Sequence, residues 1–398
     1  MKVIINKCRP IGEIICPPSK SYAHRYLIGA GLSSSKVDNI AFSNDIFATL
    51  SCLSSLGFKK IVNFNSVSFD GFKEKDEEFS CLESGSTLRF FIPLVLALQD
   101  KAIFKCSPRL VQRGVDVYIE AFKNKGIEIN CLEDKIICKG RLIPSTYKVR
   151  GDVSSQYITG LLFALPLLDG DSVIEITSPL ESKAYIDITI DVLNKYGIKF
   201  DFRDNFIYVK GNQKYQHYDA VVEGDYSNSA FLDAFNYLGG KVDVKGLNPS
   251  SFQGDKVYKD YFNQLAVSKP TLDISNCIDL GPVLFVFASL FNGGKFIGTK
   301  RLKIKESDRG EAIKQELEKI GGKIEIKDDE IEVHPLNSYP LKGDFDSHND
   351  HRIAMALSLL SSKMEVSISS CECIEKSFPN YYDVLIQLGA KVSYQENE

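Results

Sequence analysis

The sequence predicts an α/β protein of two lobes, each built from three helix–strand repeats. The first observation behind this prediction is a helix-like segment that ends in glycine and passes directly into a strand. It occurs six times, around Gly57, Gly126, Gly197, Gly239, Gly321 and Gly389. The second observation is the length of 398 residues, which exceeds what one ordinary core accommodates and favours two or three domains.

Each of these glycines is expected to end its helix, because a left-handed residue there satisfies the last helical carbonyls at little steric cost. Three copies then continue as alternating segments around an acidic turn, which predicts β-hairpins. These segments are INCLEDKIICKG, FDFRDNFIYVKG and IEIKDDEIEVHP. The predicted unit is therefore helix, tight turn, strand and often a second strand.

The spacing of the glycines predicts where the lobes divide. Gly197 and Gly239 are 42 residues apart, whereas the other four intervals run from 68 to 82 residues. The segment VVEGDYSNS, Val221 to Ser229, lies in the short interval and has the composition of a linker. We therefore expect three repeats on either side of it.

Composition excludes several classes of protein. A net charge of -4 leaves no basic surplus for a nucleic-acid partner. Ten cysteines without a C-x-x-C pair, and no secretory segment behind Met1, favour reduced thiols in the cytoplasm. The longest apolar runs, FFIPLVLAL and VLFVFASLF, have about half the length that crosses a bilayer. We expect a cytoplasmic protein that binds neither nucleic acid nor membrane.

Two cations at one predicted helix start indicate an anion site. In CPPSKSYAHR the prolines fix an extended entry, and Ser19 or Ser21 is a natural helix N-cap. Lys20 and Arg25 then lie in the first turns, at the positive end of the helix dipole. A cation there is disfavoured by about 0.3–1 kcal/mol unless a negative group binds nearby. One such site could equally be two solvated side chains.

The pattern recurs at five predicted helix starts, which carry hydroxyl groups, cations or both. They are PSKSYAHR (18–25), ESGSTLRF (83–90), GDVSSQYITG (151–160), KIKESDRG (303–310) and SHNDHRIA (347–354). Free backbone N–H groups, serines and cations are the groups that bind phosphate and carboxylate oxygens. Repetition makes a chance arrangement less plausible, and no P-loop or dinucleotide fingerprint offers another explanation.

The segment HNDHR could also be interpreted as a metal site, because His348 and His351 have Asp346 and Asp350 close by. No third well-spaced ligand supports that interpretation, and Arg352 would oppose a divalent cation. We therefore expect no metal.

Two acids have the setting of proton-transfer groups. Asp279 precedes an apolar segment in IDLGPVLF, and Glu306 lies between Lys305 and Arg309 in KESDR. Carboxylates beside cations can be tuned for acid–base work, although surface ion pairs have the same pattern.

Taken together, the motifs resemble those of the 5-enolpyruvylshikimate-3-phosphate (EPSP) synthase family. They are PPSKSYAHR, SGSTLRF, VSSQYITGLLFALP, ESKAYIDIT, IDLGPVLFV, KESDR, NDHRIAMA and KSFPNYYD, and they span nearly the whole chain. The resemblance implies an inside-out α/β barrel in each lobe. It implies a first lobe of residues 19–225, mainly for shikimate 3-phosphate, and a second lobe of residues 1–18 and 226–398. The active site would lie in the cleft between them.

The family transfers the enolpyruvyl group of phosphoenolpyruvate to the 5-hydroxyl of shikimate 3-phosphate and releases phosphate, without a metal or organic cofactor. This resemblance implies Asp279 as base, Glu306 as proton donor and Lys20 as an aid to proton movement. It further implies substrate-binding roles for Lys20, Ser21, Arg25, Gly85, Arg113, Ser154, Ser155, Gln156, Ser182, Tyr185, Lys305, Arg309, His351, Arg352 and Lys376. The two small anions would be the only partners of a monomer, and glyphosate would bind in the phosphoenolpyruvate pocket.

Four positions depart from the commonest family pattern. Glu83 and Arg301 stand where asparagine is usual, and Gly114 and Ala184 stand where proline is usual. A carboxylate at Glu83 would repel phosphoenolpyruvate unless it pairs with a cation.

Two other functions stay open from the residues. UDP-N-acetylglucosamine enolpyruvyl transferase shares the fold, but it expects an asparagine after the early lysine and a reactive cysteine on a lid loop. Here Ser21 follows Lys20, and only Cys106 lies near the matching region. A catalytically inactive phosphometabolite-binding protein of the same fold is the second alternative, although Asp279 and Glu306 are both present.

Overall fold

The computed structural model of the chain describes residues 1–396. The chain divides into two compact units. The first unit is Pro18–Glu223, and the second unit is Met1–Pro17 together with Gly224–Glu398. Each unit has its own hydrophobic core.

The α-helices are given in chain order. They are α1 (Lys20–Ser33), α2 (Asn44–Ser55), α3 (Gly85–Leu98), α4 (Pro108–Gln112), α5 (Asp116–Ala121), α6 (Ser155–Ala164), α7 (Lys183–Lys195), α8 (Tyr226–Tyr237), α9 (Tyr258–Val267), α10 (Gly281–Leu290), α11 (Arg309–Glu318), α12 (His351–Ser358) and α13 (Tyr381–Gln387).

The strands are given in the same way. They are β1 (Lys2–Ile5), β2 (Ile11–Ile15), β3 (Lys36–Asp38), β4 (Phe58–Val62), β5 (Ser66–Phe72), β6 (Glu78–Leu82), β7 (Lys101–Cys106), β8 (Glu128–Cys131), β9 (Lys135–Lys139), β10 (Thr146–Val149), β11 (Ser172–Ile176), β12 (Phe200–Arg203), β13 (Phe206–Val209), β14 (Ala220–Val221), β15 (Lys241–Lys245), β16 (Thr271–Asp273), β17 (Gly294–Ile297), β18 (Ile324–Ile326), β19 (Glu330–Val333), β20 (Lys342–Asp346), β21 (Glu365–Ser369) and β22 (Val392–Gln395).

Five sheets share one topology, in which a parallel pair is extended by two antiparallel strands. Their strand orders are β14-β3-β5-β4, β6-β7-β9-β8 and β10-β11-β13-β12 in the first unit, and β16-β17-β19-β18 and β20-β21-β1-β22 in the second. The sixth sheet, in the second unit, consists of the parallel pair β15 and β2 alone. Within the described residues each unit therefore holds three sheets, as the repeats predict, and the three predicted hairpins are present as β8–β9, β12–β13 and β18–β19.

All six junction glycines adopt the left-handed conformation that the sequence predicts, with φ between +72° and +95°. Five of them lead from an outer helix into the edge strand of a four-stranded sheet. Gly239 differs, because it ends the buried helix α8 and leads into β15. The interval before Gly239 is short because the chain passes between units there. In that interval β14 completes a sheet of the first unit by pairing with β3, and α8 then begins in the second unit.

Three helices in each unit are buried along most of their length, and the sheets lie around them. These helices are α1, α3 and α6 in the first unit and α8, α10 and α12 in the second. Helices that are apolar on nearly all faces belong in a core, and the apolar runs of α3 and α10 follow that rule. This arrangement, helices inside and strands outside, confirms the predicted inside-out α/β fold.

No helix within residues 1–396 combines the length and the apolar character that crossing a membrane requires. The predicted linker Val221–Ser229 is partly helical, since α8 begins at Tyr226.

Candidate active site

The five segments that the sequence singles out as helix starts all precede helices. They lead into α1, α3, α6, α11 and α12. Four of these helices have a side-chain N-cap, in which Ser84, Ser154, Asp308 or Asp350 accepts a backbone N–H of the first turn. At α1 the N-cap position belongs to Ser19, whose hydroxyl makes no such bond. The cations and hydroxyls of these segments therefore lie near N–H groups of the first helical turns, the backbone groups that bind anions at helix N-termini.

At the start of α1, Lys20 and Arg25 are held by neighbours in the first unit. The ammonium of Lys20 contacts the carboxylate of Asp45 at 2.7 Å. Arg25 donates through Nε to the hydroxyl of Thr189 at 2.8 Å and through Nη1 to the carbonyl of Ser21 at 2.7 Å. Burial lowers the pKa of Arg25 to about 10. An anionic ligand bound to this buried guanidinium would offset part of that burial cost.

Gly85, the first residue of α3, lies against two guanidinium groups. A β-carbon placed on Gly85 would lie 3.1 Å from Nη2 of Arg113 and 3.1 Å from Nη1 of Arg89. That Nη1 also donates to the side-chain oxygen of Gln156 at 2.7 Å, and the amide nitrogen of Gln156 donates to Ser86 at 3.0 Å. The structure thus brings together Gly85 and Arg113, and it connects them through Arg89 to Gln156.

The predicted phosphate-binding serines lie at the starts of α6 and α7. Ser154 caps α6 by accepting the N–H of Gln156, and Ser155 is the buried first residue of that helix. Ser182 holds the N-cap position of α7 with a left-handed φ of +54°, which is strained for serine. Tyr185 lies in the first turn of α7, and its carbonyl accepts from Nη2 of Arg25 at 3.1 Å.

In the second unit, Arg309 connects the two candidate proton-transfer acids. Its Nη1 donates to Asp279 at 2.7 Å, its Nη2 to Glu306 at 2.7 Å and its Nε to Asp350 at 2.8 Å. The side chain is 1% exposed. Although burial lowers the pKa of Arg309, the charges of Asp350, Glu306 and Asp279 outweigh it and raise that pKa overall.

Asp279 contacts two further cations. Lys305 lies 3.2 Å from its Oδ1, and Arg352 lies 3.6 Å from its Oδ2. Burial lowers the pKa of Lys305. Arg352 also donates to the hydroxyl of Ser227 at 2.6 Å. Asp279, Glu306, Lys305, Arg309 and Arg352 therefore form one charged cluster of the second unit, as a site for anions and proton transfer requires.

His351 and Lys376 contact Asp350 and its neighbour Asn349, and Asp350 in turn binds Arg309 of this cluster. His351 is buried, with its Nδ1 3.8 Å from Asp350, and Lys376 donates to the carbonyl of Asn349 at 2.6 Å. The other histidine of the HNDHR segment, His348, contacts Glu316 at 2.7 Å. The two histidines thus contact different carboxylates, which disfavours the interpretation of HNDHR as one metal site.

Three functional candidates were missed in the sequence. Arg89 is the arginine of the segment SGSTLRF. Its position near a predicted helix start is the signal by which it could have been found. Asp45 lies in the first turn of α2, two residues after Ser43, and only the structure places it against Lys20. Asp350 was considered as a metal ligand, but it caps α12 and holds Arg309.

Two of the unusual positions acquire a structural explanation. Gly114 has φ of +74°, which proline cannot adopt because its ring fixes φ near −65°. Arg301 is buried and donates to the carbonyl of Ser275. Glu83 lines a surface cleft of the first unit together with Lys105. Nothing in the structure explains Ala184.

Cys106 does not have the properties of a reactive lid cysteine. It is the last residue of β7 and is 8% exposed, and its thiol donates to the carbonyl of Phe104. A hydrogen bond with Cys81, followed by burial, raises the pKa of Cys106. A buried thiol that resists ionisation is a poor nucleophile.

Comparison with known proteins gives one consistent family. The family model for EPSP synthase (3-phosphoshikimate 1-carboxyvinyltransferase) matches residues 7–385. The chain is 42% identical to the 3-phosphoshikimate 1-carboxyvinyltransferase of Clostridium kluyveri over an alignment of 420 residues, which covers 98% of each chain. It is 39% identical to that of Clostridium acetobutylicum, again over 98% of each. A solved EPSP synthase from Acinetobacter baumannii has the same fold, with a TM-score of 0.79 at 18% identity over 99% of this chain and 100% of that one.

Proposed function

The chain belongs to the EPSP synthase (3-phosphoshikimate 1-carboxyvinyltransferase) family, and from that premise we propose how its own residues divide the work of the reaction. It transfers the enolpyruvyl group of phosphoenolpyruvate to the 5-hydroxyl of shikimate 3-phosphate and releases phosphate, in the shikimate pathway of aromatic amino-acid biosynthesis. The observation that carries the assignment of roles is the bond of one buried arginine, Arg309, to both Asp279 and Glu306.

We assign shikimate 3-phosphate to residues of the first unit. The phosphate is bound by the serines at the starts of α6 and α7, which are Ser154, Ser155 and Ser182. Gln156 and Tyr185 contact the ring, and Ser21 and Arg25 bind the carboxylate. Support comes from the helix starts themselves, where N–H groups and hydroxyls meet the requirements of phosphate oxygens.

Most of the residues that we assign to phosphoenolpyruvate are the remaining cations. We assign to it Lys20, Gly85, Arg113, Lys305, Arg309, His351, Arg352 and Lys376. Arginines suit the planar carboxylate and the phosphate because their fork of donors binds two oxygens at once. Binding of this anion competes with the carboxylates that now occupy Arg309.

The addition step needs a base and an acid. In the proposed step Asp279 accepts the proton of the 5-hydroxyl as its oxygen bonds to C2 of phosphoenolpyruvate. Glu306 gives a proton to C3, so that the methylene becomes a methyl group and a tetrahedral adduct forms. Lys20 assists proton movement. The surrounding guanidinium groups stabilise the negative charge of the adduct.

The elimination step reverses the proton movement at C3. A proton leaves the methyl group for the carboxylate of Glu306, the C2–O bond to phosphate breaks, and the double bond of the enolpyruvyl group forms again. Every proton is accounted for by the two carboxyls and the departing phosphate. The scheme rests on acid–base and electrostatic catalysis alone, with no step through a cofactor.

We propose that residues 19–225 act as the shikimate 3-phosphate lobe, and that residues 1–18 and 226–398 supply the acid and the base. We further propose a cytoplasmic monomer. Ten unpaired cysteines support a reducing compartment.

The test is phosphate release by the purified chain with phosphoenolpyruvate and one of two acceptors, shikimate 3-phosphate or UDP-N-acetylglucosamine. The Asp279→Asn variant serves as the matched control for contaminating activity. Release with shikimate 3-phosphate alone supports the proposal. Release with the nucleotide sugar would indicate the related transferase, and binding without release would indicate an inactive phosphometabolite-binding protein.

A further inference from the structure

A continuous run of buried hydrogen bonds links α1, α2 and α3 in the first unit. Nδ1 of His24 lies 2.7 Å from the hydroxyl of Thr49, which lies 2.8 Å from the hydroxyl of Thr87, which donates to Ser84 at 2.8 Å. All four side chains are buried. We call this set the α1–α3 hydrogen-bond chain. None of its members is among the residues that the reaction uses.

The donors in this chain point one way. Ser84 accepts from the backbone N–H of Thr87 at 3.2 Å, as a helix N-cap does, and also from the Thr87 hydroxyl. A hydroxyl has one proton, so Thr87 accepts from Thr49, and Thr49 accepts from His24. His24 is therefore protonated on Nδ1, and its Nε2 is the bare nitrogen.

The environment of His24 agrees with this tautomer. Its buried Nε2 has no hydrogen-bond partner, and an unsatisfied acceptor is tolerated more often than a buried N–H without one. Burial, followed by the charges of Lys20 and Arg25, lowers the pKa of His24 well below its usual range. The ring meets the edge of Phe90 at a centroid distance of 6.4 Å. The neutral ring of His24, with Nδ1–H as its donor, can therefore form one end of the α1–α3 hydrogen-bond chain.

The α1–α3 hydrogen-bond chain lies between two residues assigned to phosphoenolpyruvate, Lys20 and Gly85. On one side, Asp45 at the start of α2 holds Lys20, and the carbonyl of Asp45 lies 3.5 Å from the Thr87 hydroxyl. On the other side, Ser84 immediately precedes Gly85. The hydrogen bonds thus tie α2, whose Asp45 binds Lys20, to the first turn of α3.

We propose that His24, Thr49, Thr87 and Ser84 are positioning residues for phosphoenolpyruvate. They act without touching the substrate, by fixing the separation between Lys20 and the first turn of α3. The inference rests on the proposed function, which places Lys20 and Gly85 around that substrate.

The first test compares Thr87→Val with Thr87→Ser. Valine keeps the shape of threonine but removes the hydroxyl, so Thr49 loses its acceptor while the backbone cap of α3 remains. We expect Thr87→Val to raise KM for phosphoenolpyruvate by roughly 5- to 10-fold, the effect of one lost buried hydrogen bond. KM for shikimate 3-phosphate and kcat should stay within about twofold, and Thr87→Ser should restore the KM for phosphoenolpyruvate.

Thr159→Val is the matched control, because it removes an equally buried hydroxyl from the same unit. Thr159 bonds to Thr189 at 2.9 Å, and Thr189 accepts from Arg25, which is assigned to shikimate 3-phosphate. This control should raise KM for shikimate 3-phosphate and spare that for phosphoenolpyruvate. Equal rises for both substrates in Thr87→Val, or an unchanged KM for phosphoenolpyruvate, would overturn the inference.

The second test uses the unmutated chain and does not depend on any variant folding. Long-range proton–nitrogen NMR of the ¹⁵N-labelled protein, with the signal identified by its loss in His24→Asn, should show a proton on Nδ1 and none on Nε2. A proton on Nε2 would reverse the donors and overturn the inference even if activity is intact. Absence of phosphate release from the unmutated chain would instead overturn the proposed function and the link to phosphoenolpyruvate, with the tautomer unaffected.

Discussion

Arg309 donates to Asp279 across 2.7 Å, so the proposed base is bound to a guanidinium that also binds the proposed acid, Glu306. The third nitrogen of Arg309 binds Asp350, which caps α12 and thereby fixes the backbone N–H of Arg352. One buried cation thus sets the relative position of both proton-transfer groups. Removing it leaves the buried carboxylate of Asp350 and the partly buried carboxylates of Asp279 and Glu306 without their shared cation.

Asp279→Asn and Glu306→Gln should each reduce kcat by ~10²-fold or more, because both groups act in the transition state. Binding of shikimate 3-phosphate, measured by calorimetry, should change little, since its assigned ligands lie in the first unit. Glu311→Gln, a half-exposed acid on α11, is the control and should turn over normally. Near-normal kcat in either active-site variant would remove that residue from its role.

Arg309→Lys should reduce both turnover and stability. Lysine keeps the charge but cannot form three bonds in the plane of a guanidinium, so Asp279, Glu306 and Asp350 lose partners. Breaking a buried ion pair costs about 3 kcal/mol or more. Denaturant unfolding measures the change in the free energy of unfolding. The control is Arg203→Lys, in an exposed ion pair with Asp201, for which we expect a change near zero. Equal stability of the two variants would show that the three carboxylates do not need Arg309.

Ser155→Ala should weaken shikimate 3-phosphate more than unphosphorylated shikimate. The hydroxyl at the start of α6 is assigned to the phosphate, and a lost hydrogen bond to a charged group costs ~1–3 kcal/mol. Competition assays with both ligands give the comparison. Ser172→Ala, a buried serine of β11, is the control. If Ser155→Ala weakens the two ligands equally, Ser155 supports structure and not the phosphate.

Gly85→Ala should reduce affinity for phosphoenolpyruvate and for glyphosate, the inhibitor that the family binds in the same pocket. The added methyl would lie 3.1 Å from the guanidinium groups of Arg113 and Arg89, which must move by a few tenths of an ångström. We expect a several-fold rise in KM for phosphoenolpyruvate and a larger rise in the glyphosate inhibition constant. Gly126→Ala is not a suitable control because φ of Gly126 is +72°. The control is therefore Ala97→Gly, which lies in α3 as Gly85 does. Unchanged inhibition by glyphosate would place this ligand away from Gly85.

The stability of the protein should depend on pH through Asp255. Burial, followed by the charge of Asp279, raises the pKa of Asp255 from its ordinary 3.8 to about 7. A carboxyl whose pKa is higher in the folded state contributes its full stability below pH ~4, and loses it as pH rises towards ~7. The loss amounts to at most ~1.4 kcal/mol per pH unit.

Asp255→Asn removes this titration. Unfolding free energies between pH ~4 and ~7 should therefore fall less steeply in Asp255→Asn than in the unmutated chain. Asp260→Asn, an exposed position on α9, should keep the original slope. Parallel curves for Asp255→Asn and the unmutated chain would mean that Asp255 titrates alike in the folded and unfolded states.

Local features of the fold could be predicted from the sequence, but its long-range pairings could not. The junction glycines and the acidic hairpin turns are encoded within a few residues, because they depend on φ angles and turn chemistry. The pairing of β14 with β3 joins Ala220 to Val37, and no local pattern records such a partner. For the same reason Gly239 was grouped with the other glycines although it ends a buried helix.

The candidate site divides in the same way. The cations at helix starts, such as Lys20 and Arg25, could be recognised because charge and helix polarity are both written in the sequence. The groups that hold them could not. Asp45 and Asp350 acquire their roles only when folding brings them to Lys20 and Arg309.

The two-stranded sheet of β2 and β15 has a consequence for the order in which the protein opens. Each other sheet is held by three ladders of hydrogen bonds, whereas this one is held by a single ladder, and Ile11 and Ile15 of β2 are exposed. A segment with few ladders and little buried apolar surface opens at low free energy. Native-state hydrogen exchange should therefore begin at β2 and β15, and the second unit should lose structure locally while the three four-stranded sheets of the first unit remain protected.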